Sequence, residues 1–311
     1  MLTQRTIGGW WIAVVLVSLF VLPLLATPYA NVGEAYELGI GARSAAMGGA
    51  FVGVIDDNSA LFSNPASLAW GDKLTVLSTL QTTLATASSG DILASFNNFA
   101  IGVHYFDFGD VPETDESGNV TGYFSYRNYT FAAAVGLKIE LPSLVRMGLG
   151  ESIGCGIRAK LFTTDTLTPG NTTGVSVDVS LLLRGELSNV RGSPIEGYAL
   201  GLLFENLVGT PISYGSGHQE ELPRRATIGG SLLLTNHAIL SADLTSTQDV
   251  RLGVEWTPTP ALSIRGGGKN EGVWIWSAGL GLLVRDFTFD LAIVSHPYLN
   301  KQLRGSLGVC W

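Results

Sequence analysis

The sequence predicts an all-β protein, a transmembrane antiparallel β-barrel of about 14 strands. Three observations carry that reading. From Asp72 to the end, apolar and polar residues alternate with a period of two, the mark of a strand with one apolar face. Charged residues make up only 14% of the chain, against ~25% in ordinary soluble domains, yet no apolar run after the N-terminus reaches the ~18–20 residues of a membrane helix. Long and short connections also alternate between the strands, as in bacterial outer-membrane barrels.

The elements follow in order. Arg5, the apolar run Ile7–Ala26 and small residues up to Ala30 read as a signal peptide over residues 1–30, with an uncleaved inner-membrane anchor as the other reading. No Cys lies near the cut, which argues against a lipoprotein. Residues 31–71 are rich in Gly, Ala, Ser and Asn and show neither periodicity. Residues 72–311 form the barrel. Its strands are placed at 74–84, 90–96, 98–107, 123–139, 152–163, 173–186, 196–206, 223–234, 237–246, 249–257, 261–269, 273–284, 286–295 and 301–311, with ends good to ~2–4 residues. In one strand Val175, Val177, Val179, Leu181 and Leu183 share a face and Ser176, Asp178, Ser180 and Arg184 the other, with Leu182 an exception. Val250, Leu252, Val254 and Trp256 oppose Arg251, Gly253 and Glu255, and Phe287, Phe289, Leu291 and Ile293 oppose Thr288 and Asp290. The apolar sets face lipid.

Asp107–Gly122, Thr164–Gly174 and Val208–Glu221 read as external loops, and the connections at Thr235, Pro258 and Arg285 as tight turns at the other end. The chain closes on Trp311 after an alternating strand, the kind of aromatic end that the barrel-assembly machinery reads. Cys155 takes the lipid parity and Cys310 the lumenal one, so two free thiols are expected rather than a disulfide.

The formal net charge of −8, without clusters of Lys and Arg, argues against a nucleic-acid partner. Enzyme chemistry finds no support. His104, His218, His237 and His296 lack metal-ligand spacing, no G-x-S-x-G elbow is present, and the GGGKN stretch at Gly266 lacks the Ser or Thr of a phosphate loop. No cofactor and no metal are expected. The acidic stretch Asp110, Glu113, Asp115 and Glu116 lacks the order of a calcium loop. The inward charges Arg158, Lys160, Asp178, Arg184, Glu205, Arg225, Arg251, Glu255, Arg265, Lys269, Asp286, Asp290 and Arg304 mix signs, which favours paired braces over a selective ring. Phe106 and Phe108, opposite in parity to Tyr105, are candidate apolar ligand contacts.

A barrel of about 14 strands is too wide for its own side chains to fill. The small-residue segment before the first strand can fold back inside, with Asp56, Asp57, Asn58 and Asn64 meeting lumenal arginines and backbone donors and Pro65 ending any short helix before it.

Leu38–Ala69 carries Gly41-Ala42-Arg43, Met47-Gly48-Gly49-Ala50, Asp56-Asp57 and Asn64-Pro65-Ala66. This block resembles the N-terminal signature of the PorV/PorQ-type proteins, a branch of the FadL-like outer-membrane barrels. Weaker matches at Tyr198–Ile212 and in the last strands extend the resemblance over nearly the whole mature chain. It implies a barrel in the bacterial outer membrane, surrounded by its lipid, with the N-terminal segment as a lumenal hatch. Gly48, Gly49, Asp56, Asp57, Asn64, Pro65 and Ala66 are the hatch and gating residues. Two roles stay open on this resemblance: passive transport of hydrophobic, long-chain fatty-acid-like molecules, or docking of exported proteins or a type IX secretion translocon.

Overall fold

The computed structural model describes residues 41–55, 59–83, 87–142, 150, 152–165, 172–186, 194–214, 217, 219–298 and 301–311. Residues 1–30, Asp56, Asp57, Asn58 and His218 lie outside the described residues, as do most of the connections before β5 and β7. The strands are β1 (Thr75–Thr83), β2 (Ala87–Phe96), β3 (Phe99–Thr114), β4 (Val120–Glu140), β5 (Ser152–Asp165), β6 (Thr172–Glu186), β7 (Ile195–Gly209), β8 (Ile212–Ser213), β9 (Gln219–Glu220), β10 (Arg225–Leu234), β11 (Ala238–Thr245), β12 (Val250–Thr259), β13 (Leu262–Asn270), β14 (Trp274–Val284), β15 (Phe287–Ser295) and β16 (Gln302–Cys310).

All but β8 and β9 form the wall of a closed 14-strand antiparallel barrel. β1 closes it on β16, with Thr75 opposite Cys310 and Gln81 opposite Arg304. β8 and β9 make a small hairpin that leans on β6. The tight turns after β2, β10, β12 and β14 share one end with residues 75 and 310, called here the near end.

Alternation sorts the wall as the pattern predicts. Outward side chains such as Leu280, Leu291 and Leu303 are 51%, 66% and 58% exposed, while Ser176, Asp178 and Ser180 between outward valines are buried in the lumen. An apolar belt of this extent belongs against lipid, not water. No helix of the described residues is long and apolar enough to cross a membrane. Leu182, the exception in its strand, keeps its inward parity and packs on Ala66 and Ala199. Cys155 and Cys310 are both free thiols.

Two sequence expectations are corrected. The loop placed at Asp107–Gly122 is mostly strand: β3 and β4 pair up to Thr114 and Val120, leaving a turn that Asp115 closes. Apolar and polar residues are mixed on both faces of this ribbon, with Phe108 and Pro112 on one parity of β3 and Val111 on the other, so no alternation reports it. Its ladder shifts register between Asp107 and Asp110, where Gly109 has φ 78°, and an Arg127–Asp107 ion pair at 3.1 Å braces it. Asp115 accepts bonds from the Asn119 side chain and from the amides of Asn119 and Ser117. These bonds, the Asn119 side chain first, hold its carboxyl below the ordinary range. Asp115 is therefore a turn former. The Val208–Glu221 loop is also not a free external loop, because it holds the β8–β9 hairpin, whose Ile212 is buried against the lumenal core.

The described residues before β1 lie inside the barrel. They form α1 (Ala42–Ala46), α2 (Ala60–Ser63) and a 3-10 turn over Pro65–Trp70. Ala42, Ala46, Met47, Leu61 and Ala66 are wholly buried. α1 packs on Ile275, Ala292 and Val294 of β14 and β15. α2 and Leu68 pack on Leu77, Leu93, Ala100 and Phe162. The wall makes room with glycine: a Cβ at Gly136 would stand 2.5 Å from Ala69 N, and one at Gly154 2.5 Å from Ala66 O. One at Gly156 would overlap Pro65 and Ala66 backbone. Gly156→Val is therefore expected to leave a folded barrel with an undocked N-terminal segment. Limited proteolysis in detergent checks it: the wild-type segment resists cleavage, the variant's is cut, and equal protection of the two would refute the packing argument.

Candidate functional site

The plugged lumen is the site, and its anchors are charged. Arg158 on β5 is fully buried. Its Nε donates to Asp178 Oδ2 at 2.5 Å and its Nη1 to the carbonyl oxygens of Leu61 and Phe62 at 2.9 and 2.6 Å. Those are C-terminal carbonyls of α2, which a short helix leaves without partners. Lys160 bonds the second Asp178 oxygen at 2.9 Å, and Glu205 joins Arg158 to Arg225 at 3.5 and 2.6 Å. One wall network thus holds the helix end.

A second network crosses the near half of the lumen. Arg43 of α1 forms a two-pronged pair with Glu255, at 2.8 Å on each prong. Arg265 bonds Glu255 and Asp290, each at 2.5 Å. Asp243 on β11 takes the amides of Phe51 and Val52 on one oxygen, at 2.7 and 3.0 Å. Serines complete the seating: Ala42 N donates to Ser306 Oγ, Gly48 N to Ser277 Oγ, and Ser231 Oγ donates to Gly53 O.

The predicted hatch residues are brought together in part. Asn64 is wholly buried; its Nδ2 donates to Val52 O at 2.6 Å, and its Oδ1 accepts from Ala66 N at 3.0 Å. Ala66 N also reaches Ser180 Oγ at 2.9 Å. Pro65 starts the 3-10 turn after Asn64 has broken from α2. Gly48 and Gly49 have φ of 65° and 75°, and Gly48 lies against the backbone of Gly268, where a Cβ would stand 2.5 Å from its nitrogen. Phe106 is buried in the lumen and Phe108 is 40% exposed beyond it, with ring centroids 6.3 Å apart. Neither borders the chamber above the segment. Sequence reasoning expected carboxylates of the segment to meet wall arginines. Among the described residues the polarity is reversed at the near end, where Arg43 meets wall Glu255. Arg43 and Asp243 were missed as anchors; the signal available was that each is a lone charge among small or alternating residues.

The segment divides the lumen. Toward the far end lies a chamber of about 130 Å³, floored by Gly48, Gly49, Phe51 and Phe62 and walled by Leu203, Ile275, Arg225, Arg251, Lys269 and Arg304. Toward the near end lies a cavity of about 290 Å³ around Arg43, Glu255, Arg265 and Asp290. The outer wall carries an apolar trough of about 960 Å³ along Leu80, Tyr105, Leu280, Leu291, Ile293 and Leu303. Among the described residues no group of His, Cys, Asp and Glu could hold a metal ion.

The fold is that of FadL-like channels. The chain superposes on the toluene transporter TodX of Pseudomonas putida with a TM-score of 0.53 at 14% identity, over 88% of this chain and 96% of that one. It superposes on the monoaromatic hydrocarbon channel CymD with a TM-score of 0.56 at 11% identity, over 88% and 97%. A FadL homologue of Pseudomonas aeruginosa gives 0.50 at 11% identity, over 88% and 98%. No protein-family model and no curated protein sequence matches the chain.

Arg158→Met would leave Asp178 and Glu205 short of a buried cation and two helix carbonyls without a donor. Removing one partner of a buried pair costs about 3–5 kcal/mol. The expected outcome is loss of the folded, heat-resistant form at markedly lower temperature on electrophoresis, with the Asp178→Asn, Arg158→Met double variant recovering part of the loss.

Proposed function

We propose that the chain is an outer-membrane channel that passively passes hydrophobic small molecules, with residues 31–71 as its hatch. The observation that carries this reading is the divided lumen: a seated N-terminal segment with a chamber on each side, set in a barrel of the FadL-like fold. The channels of that fold named above are described as a toluene transporter and a monoaromatic hydrocarbon channel. No covalent chemistry enters. In this orientation the near end faces the periplasm and the β3–β4 ribbon projects outward. Gly48 and Gly49 form the turn between the chambers, Asn64 ties two parts of the hatch together through Val52 and Ala66, Pro65 lies against β5, and Ala66 bonds Ser180 of β6. The apolar trough on the outer wall gives a hydrophobic passenger a place to meet the bilayer.

Two measurements test the reading. Deleting Gly39–Ala66 should raise the ion conductance of the reconstituted barrel, because the lumen loses its filling; unchanged conductance would count against a hatch. Proteoliposomes should take up toluene or hexadecanoate faster than protein-free vesicles. If neither solute moves and exported proteins are captured by the intact barrel instead, the docking role replaces transport.

A further inference from the structure

The β3–β4 ribbon leaves the wall with two open edges, and the two are built differently. β2 pairs with β3 only up to Asp107, and β5 with β4 only up to Arg127. Beyond those points the two strands of the ribbon pair with each other, and among the described residues no strand lies on their outer sides. The edge of β3 is defended. It carries the charges of Asp110 and Glu113, Pro112 without an amide hydrogen, and the register shift at Gly109. Those are the devices that keep an edge from accepting a further strand. The edge of β4 has none of them. Its stretch VTGYFSY, Val120 to Tyr126, holds no charge and no proline. All but Gly122 and Ser125 are β-branched or aromatic residues, which favour strands. Val120 and Tyr123 are 54% and 69% exposed.

An open row of amide and carbonyl groups on a strand-forming segment is a template for one more strand. Geometry and charge bound what can fill it. Below Arg127, β5 takes the same side of β4 from Asp165 downward, so an added strand ends above that level. The connection 166–171, which starts level with Arg127, can rise only about 10 Å before it must return, against ~23 Å from Arg127 to Val120. A second copy in the same membrane fails for the same reason: its own strand continues down into its barrel wall, where β5 already stands. The occupant is therefore a separate, extended segment. Its charge is set by the ribbon, which holds Asp110, Glu113, Asp115 and Glu116 and no Lys or Arg between Phe108 and Tyr126. Arg127, below them, is paired with Asp107 at 3.1 Å. Asp165 stands exposed at the foot of the slot. An added strand would lie about 10 Å from β3. Its long Lys or Arg side chains would reach Asp110 on the face of Tyr123 and Glu113 on the face of Phe124, passing over those rings.

We infer that the outer edge of β4, Val120 to Tyr126, is a docking edge for an extended cationic segment of another protein, which adds to the ribbon as a third strand. The backbone ladder supplies the affinity, and the carboxylates of β3 select the charge. The surface lies outside the lumen, so the inference is independent of the transport reading.

The test uses the intact barrel in non-ionic detergent at low salt and three fluorescein-labelled peptides. The first is Lys-Val-Lys-Tyr-Lys-Val-Lys. The second has proline for both valines, which keeps the charge and removes the strand. The third has glutamate for every lysine. Fluorescence anisotropy should show saturable one-to-one binding of the first, at least tenfold tighter than of either other peptide. The double variant Tyr123→Lys, Ser125→Lys, which gives the edge of β4 the defence that β3 has, should weaken the first peptide at least tenfold. Hydrogen exchange should show amides of 120–126 protected by the first peptide alone. Equal binding of the proline peptide would leave charge without strand addition and overturn the inference, as would equal binding of the glutamate peptide. A concentration-dependent dimer that protects the same amides would give the edge to a second copy and overturn it too. If the variant does not fold, the three peptides on the wild type still decide. Toluene uptake by proteoliposomes is read separately: uptake without peptide binding sinks only the docking edge, and peptide binding without uptake counts only against transport.

Discussion

A 14-strand wall encloses more space than its inward side chains can fill, and the rest of the structure follows from how that space is occupied. The filler is backbone, not bulk. Short helices and turns bring carbonyl and amide groups into the lumen, and each needs a partner there. The wall supplies them at fixed ladder positions. Arg158 gives two donors to the end of α2, Asp243 takes two amides, Ser277 bonds both Gly48 N and Ala46 O, and serines 180, 231 and 306 each meet one group of the segment. Glycines on the same faces let the two backbones approach. Neither device works alone: a bulky wall keeps the segment away, and a glycine wall without polar partners leaves it unsatisfied.

Those anchors also set the field inside the barrel. At the near end Arg43, Arg265, Glu255 and Asp290 form a balanced set, two cations against two carboxylates. On the far side of the segment the carboxylates are spent on holding it, Asp243 on amides and Asp178 and Glu205 on Arg158. The cations of β12, β13 and β16 also face carboxylates: Arg251 has Asp243 across the ladder, Lys269 pairs with Glu271, and Arg304 lies near Asp91.

Much of the wall was legible because lipid and lumen impose opposite demands on neighbouring residues. Val175 to Leu183 and Val250 to Trp256 declare their faces, and even the exception Leu182 keeps its parity and finds Ala66. The pattern fails where that contrast ends. The outer β3–β4 ribbon mixes apolar and polar residues on both faces, so Asp107–Gly122 read as loop although its backbone pairs up to the Asp115 turn, apart from the register shift after Asp107. The site was legible as residue types and not as an arrangement. Asn64, Pro65 and Gly48 stand out in a small-residue segment, and Arg251 appears among inward charges. Which acid serves which base depends on cross-strand register over hundreds of positions, and no local pattern encodes that Arg43 reaches Glu255 or that one oxygen of Asp243 takes the amides of Phe51 and Val52.

The seating further constrains how a passenger could pass. Expelling the whole segment breaks the Arg43–Glu255 fork, the Arg158 contacts and both Asp243 bonds together. Hydrogen bonds to charged groups are worth about 1.5–3 kcal/mol each, so such a motion opposes a large sum. Moving only the Met47–Ala50 turn breaks no charged contact: it gives up Gly48 N to Ser277 Oγ, a few backbone bonds of the turn itself and the packing of Met47 on Phe51 and Val54. Both its glycines already sit at positive φ, a region that glycine leaves and re-enters at little cost. That turn forms part of the floor of the far chamber, beside Arg251 and opposite Gly267 and Gly268. A channel built on this barrel would therefore open at the turn while α1, α2 and their charged anchors stay in place.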